Sequence, residues 1–235
     1  MSSFAARTHT GQVRNQNQDR AVAVSGPAGS ILLAVADGVA GSPGGEVASE
    51  AAIDTLSTSL EHADWDNLSR AFTAANEAVV ALQGTRREWQ TMATTLVAAV
   101  VVNNIAVIAN IGDSRAYALV AGELTQVTRD DSWVTEAVES GEFTLQEAER
   151  HPWRNVVTKV IGMPAGVEPT RYEVQLNPGD VLLLATDGLF KMVADEEVSR
   201  ILTGAANAES AAAALVDAAN AAGGIDNIGV ALYRA

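Results

Sequence analysis

Residues 96–120 read LVAAVVV, NN, IAVIANI, GDS, RAYALV. Three runs rich in Val, Ile, Leu and Ala follow one another with only Asn103-Asn104 and Gly112-Asp113-Ser114 between them. Runs of this composition predict strands, here at 94–102, 105–110 and 115–120. Asn103-Asn104 predicts a tight hairpin turn, because asparagine tolerates the positive φ that such turns require. The runs are too apolar to leave one face wet, so the sheet they form must be covered on both sides.

The same reading extends in both directions. Further strands are predicted at 21–25, 31–36, 171–176, 181–186 and 228–233, with another near 125. Pro178-Gly179-Asp180 marks a second turn. Helices are predicted at 45–60, with Ala52, Ile53, Leu56 and Leu60 on one side, and at 67–82, capped by Asp66 or Asn67. The alanine-rich 205–222 also reads as helix, because Leu215 and Val216 share a face with Ala208, Ala212 and Ala219. Strands in hairpins and helices in pairs favour two stacked antiparallel sheets covered by helices over an alternating parallel fold. Residues 129–165 are polar, hold His151-Pro152-Trp153 and interrupt the pattern. A connection of that length with short helices of its own predicts a lid or flap.

Composition narrows the function. A chain of 235 residues suits one domain with a substantial core. An apolar fraction of 48% and a mean hydropathy of +0.10 argue against disorder. There is no cysteine, so disulfides and thiolate metal sites are excluded. MSSFAARTHT has no apolar leader core and no window is long enough to span a membrane, so a cytoplasmic location is the default expectation. The net charge of −14 argues against nucleic acid, which needs clustered Lys and Arg.

Part of that acidity is placed by the strands. ILLAVA runs into Asp37-Gly38, VLLLAT into Asp187-Gly188, and AVIANIG into Asp113; Asp19 and Asp226 stand just before strand-like segments. In an antiparallel sheet the end of one strand lies beside the start of its neighbour, so these five carboxylates can meet at one end of the molecule. Without cations they would repel one another. Hard divalent metals, which prefer oxygen ligands, account for the gathering. Each Asp-Gly alone is only a turn signal. A two-metal centre needs one bridging carboxylate and others that hold each ion from its own side, and Asp37 suits the bridge. Gly38 would let its carbonyl reach a metal. Gly38-Val39-Ala40-Gly41-Ser42-Pro43-Gly44-Gly45 is glycine-rich but lacks the lysine of a phosphate loop.

Two readings stand for Arg14. It grips a phosphate beside the metals, or it pairs with a surface acid. Arg115 is equally open between orienting Asp113 and touching substrate. His9 and His62 read as surface residues, and His151 as the residue that fixes the flap's turn. No Ser-His-Asp signature or Gly-x-Ser-x-Gly elbow is present.

Eight motifs in order bear a closer resemblance: RNQNQD at 14–19, VADGVAG at 35–41, GGEVAS at 44–49, ATTL at 93–96, IGDSRAY at 111–117, HPWRNVVTKVIG at 151–162, LLATDGL at 183–189 and GGIDNI at 223–228. From about residue 7 to the C-terminus the chain resembles the metal-dependent protein phosphatase 2C (PPM) family in its compact bacterial form. The resemblance implies an α+β fold, a four-layer αββα sandwich of two antiparallel sheets flanked by helix pairs, with 1–235 as one catalytic domain and a flap at about 131–161. It also implies a binuclear Mn²⁺ or Mg²⁺ centre that hydrolyses phosphoserine and phosphothreonine through a metal-activated water, without a phosphoenzyme. Position by position, Asp37 bridges the ions and the Gly38 carbonyl binds one. Asp187 and Asp226 hold one ion, and Asp19 holds the other mostly through water. Asp113 and Asp187 hold a third, weaker ion, and Arg14 binds the phosphate.

Four departures accompany the match. Gln18 replaces an acidic residue, Val39 stands where animal members carry a histidine proposed as general acid, Lys191 follows Asp-Gly-Leu where an acid is common, and Asp131 occupies a flap position often filled by histidine. The expected partners are phosphorylated proteins of a serine/threonine kinase, with neither nucleic acid nor membrane, and a monomer is the default. The alternatives are a catalytically idle module that binds phosphoproteins, and a phosphatase of small phosphate esters.

Overall fold

The computed structural model describes residues 3–39 and 43–235. Its strands are β1 (Ser3–His9), β2 (Asp19–Ser25), β3 (Ile31–Asp37), β4 (Leu96–Val102), β5 (Ile105–Ile111), β6 (Arg115–Val120), β7 (Glu123–Gln126), β8 (Thr170–Gln175), β9 (Val181–Ala185) and β10 (Ile228–Arg234). Its helices are α1 (Gly45–Ser59), α2 (Trp65–Gln83), α3 (Trp133–Glu139), α4 (Leu145–Arg150), α5 (Asp187–Phe190), α6 (Asp195–Gly204) and α7 (Ala208–Ala221). One sheet has the order β1-β10-β9-β6-β7 and the other β2-β3-β4-β5-β8. Every pairing is antiparallel.

The strand alternation divides the apolar side chains among three layers. Leu33, Val35, Val97, Val101 and Ile108 of one sheet meet Leu182, Leu184, Ala231 and Tyr233 of the other in the central layer. Their neighbours Leu32, Ala34, Ala36, Ala98 and Val100 face outward onto Ala48, Ala52, Leu56, Leu68 and Phe72 of α1 and α2. Leu183, Ala185, Val230 and Leu232 face the other way, onto Leu202, Leu215, Val216 and Ala219 of α6 and α7. This is the predicted four-layer α+β sandwich. It explains why β4, β9 and β3 as far as Ala36 are apolar at every position: both faces are buried, at about 1.5–3 kcal/mol for each large side chain.

The Asn103-Asn104 turn has φ of 48° and 63°, as its composition predicts. The structure corrects the reading elsewhere. The second helix begins at Trp65, and its cap is Asp64, whose side chain accepts from the Asn67 amide; neither Asp66 nor Asn67 serves as cap. β1, α5 and α6 have no counterpart in the sequence reading. Ala40, Gly41 and Ser42 of the glycine-rich stretch lie outside the described residues. No helix among the described residues is long and apolar enough to cross a membrane.

Candidate metal centre

Asp19 opens β2 and Asp37 closes β3, and the two are register partners in the ladder. Gly38 continues onto an isolated bridge with Thr94, just ahead of β4. In the other sheet Asp187 follows the end of β9 and Asp226 precedes β10. Asp113 lies in the turn between β5 and β6, where the chain passes from one sheet to the other. All five therefore stand at one end of the sandwich, and a cavity of about 190 Å³ opens there. Arg14, Asp37, Gly38, Asp113, Asp187 and Asp226 line it, together with Lys191 and the flap residues Asn155 and Val157. Asp19 is buried beside it at 1% exposure.

Hydroxyl and amide side chains hold these positions. The Asp37 amide donates to Thr95 Oγ1 at 3.0 Å, and its carbonyl accepts from Thr94 Oγ1 at 2.8 Å. Thr95 Oγ1 is 2.7 Å from Ser114 Oγ, which ties the Asp113 turn to β4. Thr186 Oγ1 donates to Asp19 Oδ2 at 2.6 Å and accepts from the Gly229 amide at 2.7 Å, joining the two sheets at the site. Asn227 accepts from the Gln18 amide and donates to the Thr10 and Gln16 carbonyls, each at 2.8 Å, fixing the segment that carries Arg14. The sequence reading missed these residues, because threonine inside an apolar run looks like any β-former. Gly38 is required by close approach: a Cβ there would meet the Gly45 carbonyl at 2.5 Å.

The electrostatics are unfavourable without a cation. Burial, and then the charges of Asp19, Asp187, Asp113 and Asp226, hold the Asp37 carboxyl well above the ordinary range. Burial pushes Asp19 up to about 8 against the hydrogen bond from Thr186. Burial and Asp187 push Asp113 up to about 7, opposed by the charge of Lys191. Two buried oxygens, Asp19 Oδ1 and Asp187 Oδ1, have no hydrogen-bond donor. Unsatisfied buried carboxylate oxygens are costly. An all-oxygen set with two such atoms fits hard divalent ions. No three acidic or imidazole side chains among the described residues close into a compact cage. They ring the cavity instead, which suits ions that retain several waters.

The cationic side chains are engaged with the carboxylates. Arg14 Nη2 donates to Asp226 Oδ2 at 2.8 Å, and Lys191 Nζ to Asp187 Oδ2 at 2.6 Å. Arg115 does not turn toward Asp113. It pairs with Asp130 through Nε and Nη2, and its guanidinium lies 3.9 Å from the Phe190 ring centroid. Gln18 lines the cavity, with Nε2 3.4 Å from Glu46 Oε2. His9 and His62 are exposed. His151 Nδ1 accepts from the Trp153 amide at 3.1 Å, which fixes the flap's turn as expected.

The flap is fastened next to the site. Asp131 is buried, its Oδ2 accepts from the Gly112 amide at 3.1 Å, and Lys159 approaches it at 3.3 Å. A second cavity, about 520 Å³, lies by Ile111, Lys159, Met163 and Thr170. Among the described residues, Glu168 is its only acidic lining residue, so the carboxylates gather at the smaller cavity.

A family profile described as protein phosphatase 2C matches residues 7–219. A Listeria monocytogenes protein named serine/threonine phosphatase stp is 34% identical over 238 residues, which cover 97% of this chain and 94% of the relative. The solved structure of the S. agalactiae serine/threonine phosphatase superposes with a TM-score of 0.92 at 32% identity, covering 100% of this chain and 99% of that one. The catalytic domain of the serine/threonine protein phosphatase PstP, solved with 2 manganese ions, gives 0.86 at 34% identity and covers 99% of this chain and 97% of its own.

Proposed function

Since the chain belongs to the protein phosphatase 2C family, we propose that it hydrolyses phosphoserine and phosphothreonine in proteins, with divalent ions held at the carboxylate cavity. The observation that carries the metal reading is the pair of buried carboxylate oxygens, Asp19 Oδ1 and Asp187 Oδ1, that lack donors. When bound, two Mn²⁺ or Mg²⁺ ions supply an activated water for in-line attack on phosphorus and neutralise developing charge.

The chain's own residues do the rest. Asp37 lies within the field of all four other carboxylates, the position a bridging ligand needs, and the Gly38 carbonyl is the proposed backbone ligand. Asp187 and Asp226 would hold one ion, and Asp19 would hold the other. Arg14 is aimed by Asp226, and the remaining donors of its planar fork suit a phosphate oxygen. The proposed assignment is a single catalytic domain, 1–235, with 131–161 as a flap that contributes to substrate choice. The family resemblance adds a third ion between Asp113 and Asp187, where the ammonium of Lys191 already bonds Asp187. The substrates are phosphoproteins of a serine/threonine kinase, and the proposal keeps the cytoplasm as location and a monomer as working unit.

Removing the bridge tests this. Asp37→Ala is expected to lower Mn²⁺-dependent hydrolysis of p-nitrophenyl phosphate and phosphopeptides by more than about a hundredfold, with a native far-ultraviolet spectrum. Full turnover in the folded variant would refute the assignment.

A further inference from the structure

Lys191 is the cationic side chain at this site that the two-metal reading does not use. It follows the single helical turn of α5, four residues after Asp187, and that spacing returns its ammonium to the helix's own first residue. Nζ lies 2.6 Å from Asp187 Oδ2 and 2.9 Å from Asn155 Oδ1 of the flap. Asp113 lines the same cavity beside Lys191 and Asp187. The side chain is 35% exposed, so it bends inward to these partners from the rim of the cavity.

We propose that the ammonium of Lys191 takes the position of a third divalent ion beside Asp187 and Asp113, so that this protein binds two ions and carries the third positive charge in its own chain. The proposal rests on the metal-dependent phosphatase reading and specifies the ion count within it. A third ion would have to displace the ammonium from Asp187 Oδ2. It would also leave that charge unpaired beside a divalent ion, because the ammonium's other partner, Asn155, is neutral. A lysine differs from an ion in two ways that matter here. It cannot dissociate, so the charge beside Asp187 does not depend on metal concentration. It also reaches the flap, so Asn155 is tethered to the centre by the same group. Lys191 is thus a positioning residue for Asp187 and the flap.

The test is equilibrium dialysis with Mn²⁺ alone, read by elemental analysis, on the full chain and on two variants, Lys191→Asp and Lys191→Met. The wild type is expected to saturate at two Mn²⁺ per chain. Lys191→Asp is expected to gain one further, weaker Mn²⁺, and Lys191→Met, which removes the charge without adding a ligand, to gain the same ion more weakly still. In both variants Trp153, two residues from Asn155, is expected to become more accessible to acrylamide quenching as the tether is lost. A third ion on the wild type, or saturation at two in both variants, would overturn the proposal. Fewer than two ions on the wild type would bring down the phosphatase reading itself, and the proposal with it.

Discussion

Arg14 holds Asp226 through one nitrogen and faces the cavity with the rest of its fork. A charge-assisted hydrogen bond contributes about 1.5–3 kcal/mol. Arg14→Ala is therefore expected to lower kcat/KM for phosphate monoesters by roughly ten- to a hundredfold, mainly through KM, while Mn²⁺ stoichiometry is kept. Unchanged kinetics would make it a surface arginine paired with Asp226. The buried carboxyls give a pH dependence whose sign is determined. Asp19 and Asp113 bind protons more tightly folded, at about 8 and about 7, than in the unfolded chain near 3.8. Their contribution to stability is complete below the unfolded value and is lost as pH rises through 7 to 8. In EDTA the melting temperature should fall between pH 5 and pH 8. Saturating Mn²⁺, which replaces those protons, should flatten the fall. A metal-free melting temperature that rises over that interval would contradict the charge crowding.

At the scale of elements, the flap is held to the sandwich at both ends: the Asp131 amide donates to the Gly112 carbonyl, and Ile161 and Thr94 exchange backbone hydrogen bonds. The Asp131 carboxylate also accepts from the Gly112 amide, one residue from Asp113, and inside the flap the Asp131 carbonyl accepts from the Thr158 amide at 2.8 Å. Within the flap, Trp133 stacks on His151 at 4.8 Å and meets Trp153 edge-on at 5.0 Å. Asp131→Ala should loosen the anchor without opening this aromatic cluster. KM should rise more for phosphopeptides than for p-nitrophenyl phosphate, which needs no flap. An equal effect on both substrates would deny the flap a part in substrate choice. The strands were legible because β3, β4, β5 and β9 are apolar on both faces, and the Asn-Asn turn because its φ values demand such residues. β1 was not, because SFAARTH is an edge strand whose only fully buried side chain is Ala5. α6 carried a readable signal, with Val198, Ile201 and Leu202 at helical spacing behind Asp195, Glu196 and Glu197, but it is short and directly follows the Asp187 turn. The site's aspartates could be read from strand ends. Thr186, Asn227 and the hold of Arg115 on Asp130 could not, because each depends on which segments of distant sequence become neighbours.

For the molecule as a whole, the two sheets are joined centrally by apolar contacts and at one end by Thr186, Asp19 and the carboxylate ring. The chain carries a net charge of −14, and five of its carboxylates converge where, among the described residues, Arg14 and Lys191 are the cations paired with them. The proposed ions would account for a charge-crowded end kept in a sandwich built this way, and would make that end attractive to an anionic phosphate. Anomalous X-ray scattering from crystals grown with Mn²⁺ tests that claim most directly. Two manganese peaks about 3.5–4 Å apart on either side of the Asp37 carboxylate are expected. A cavity without manganese at saturating concentration, or one ion remote from Asp37, would contradict the account.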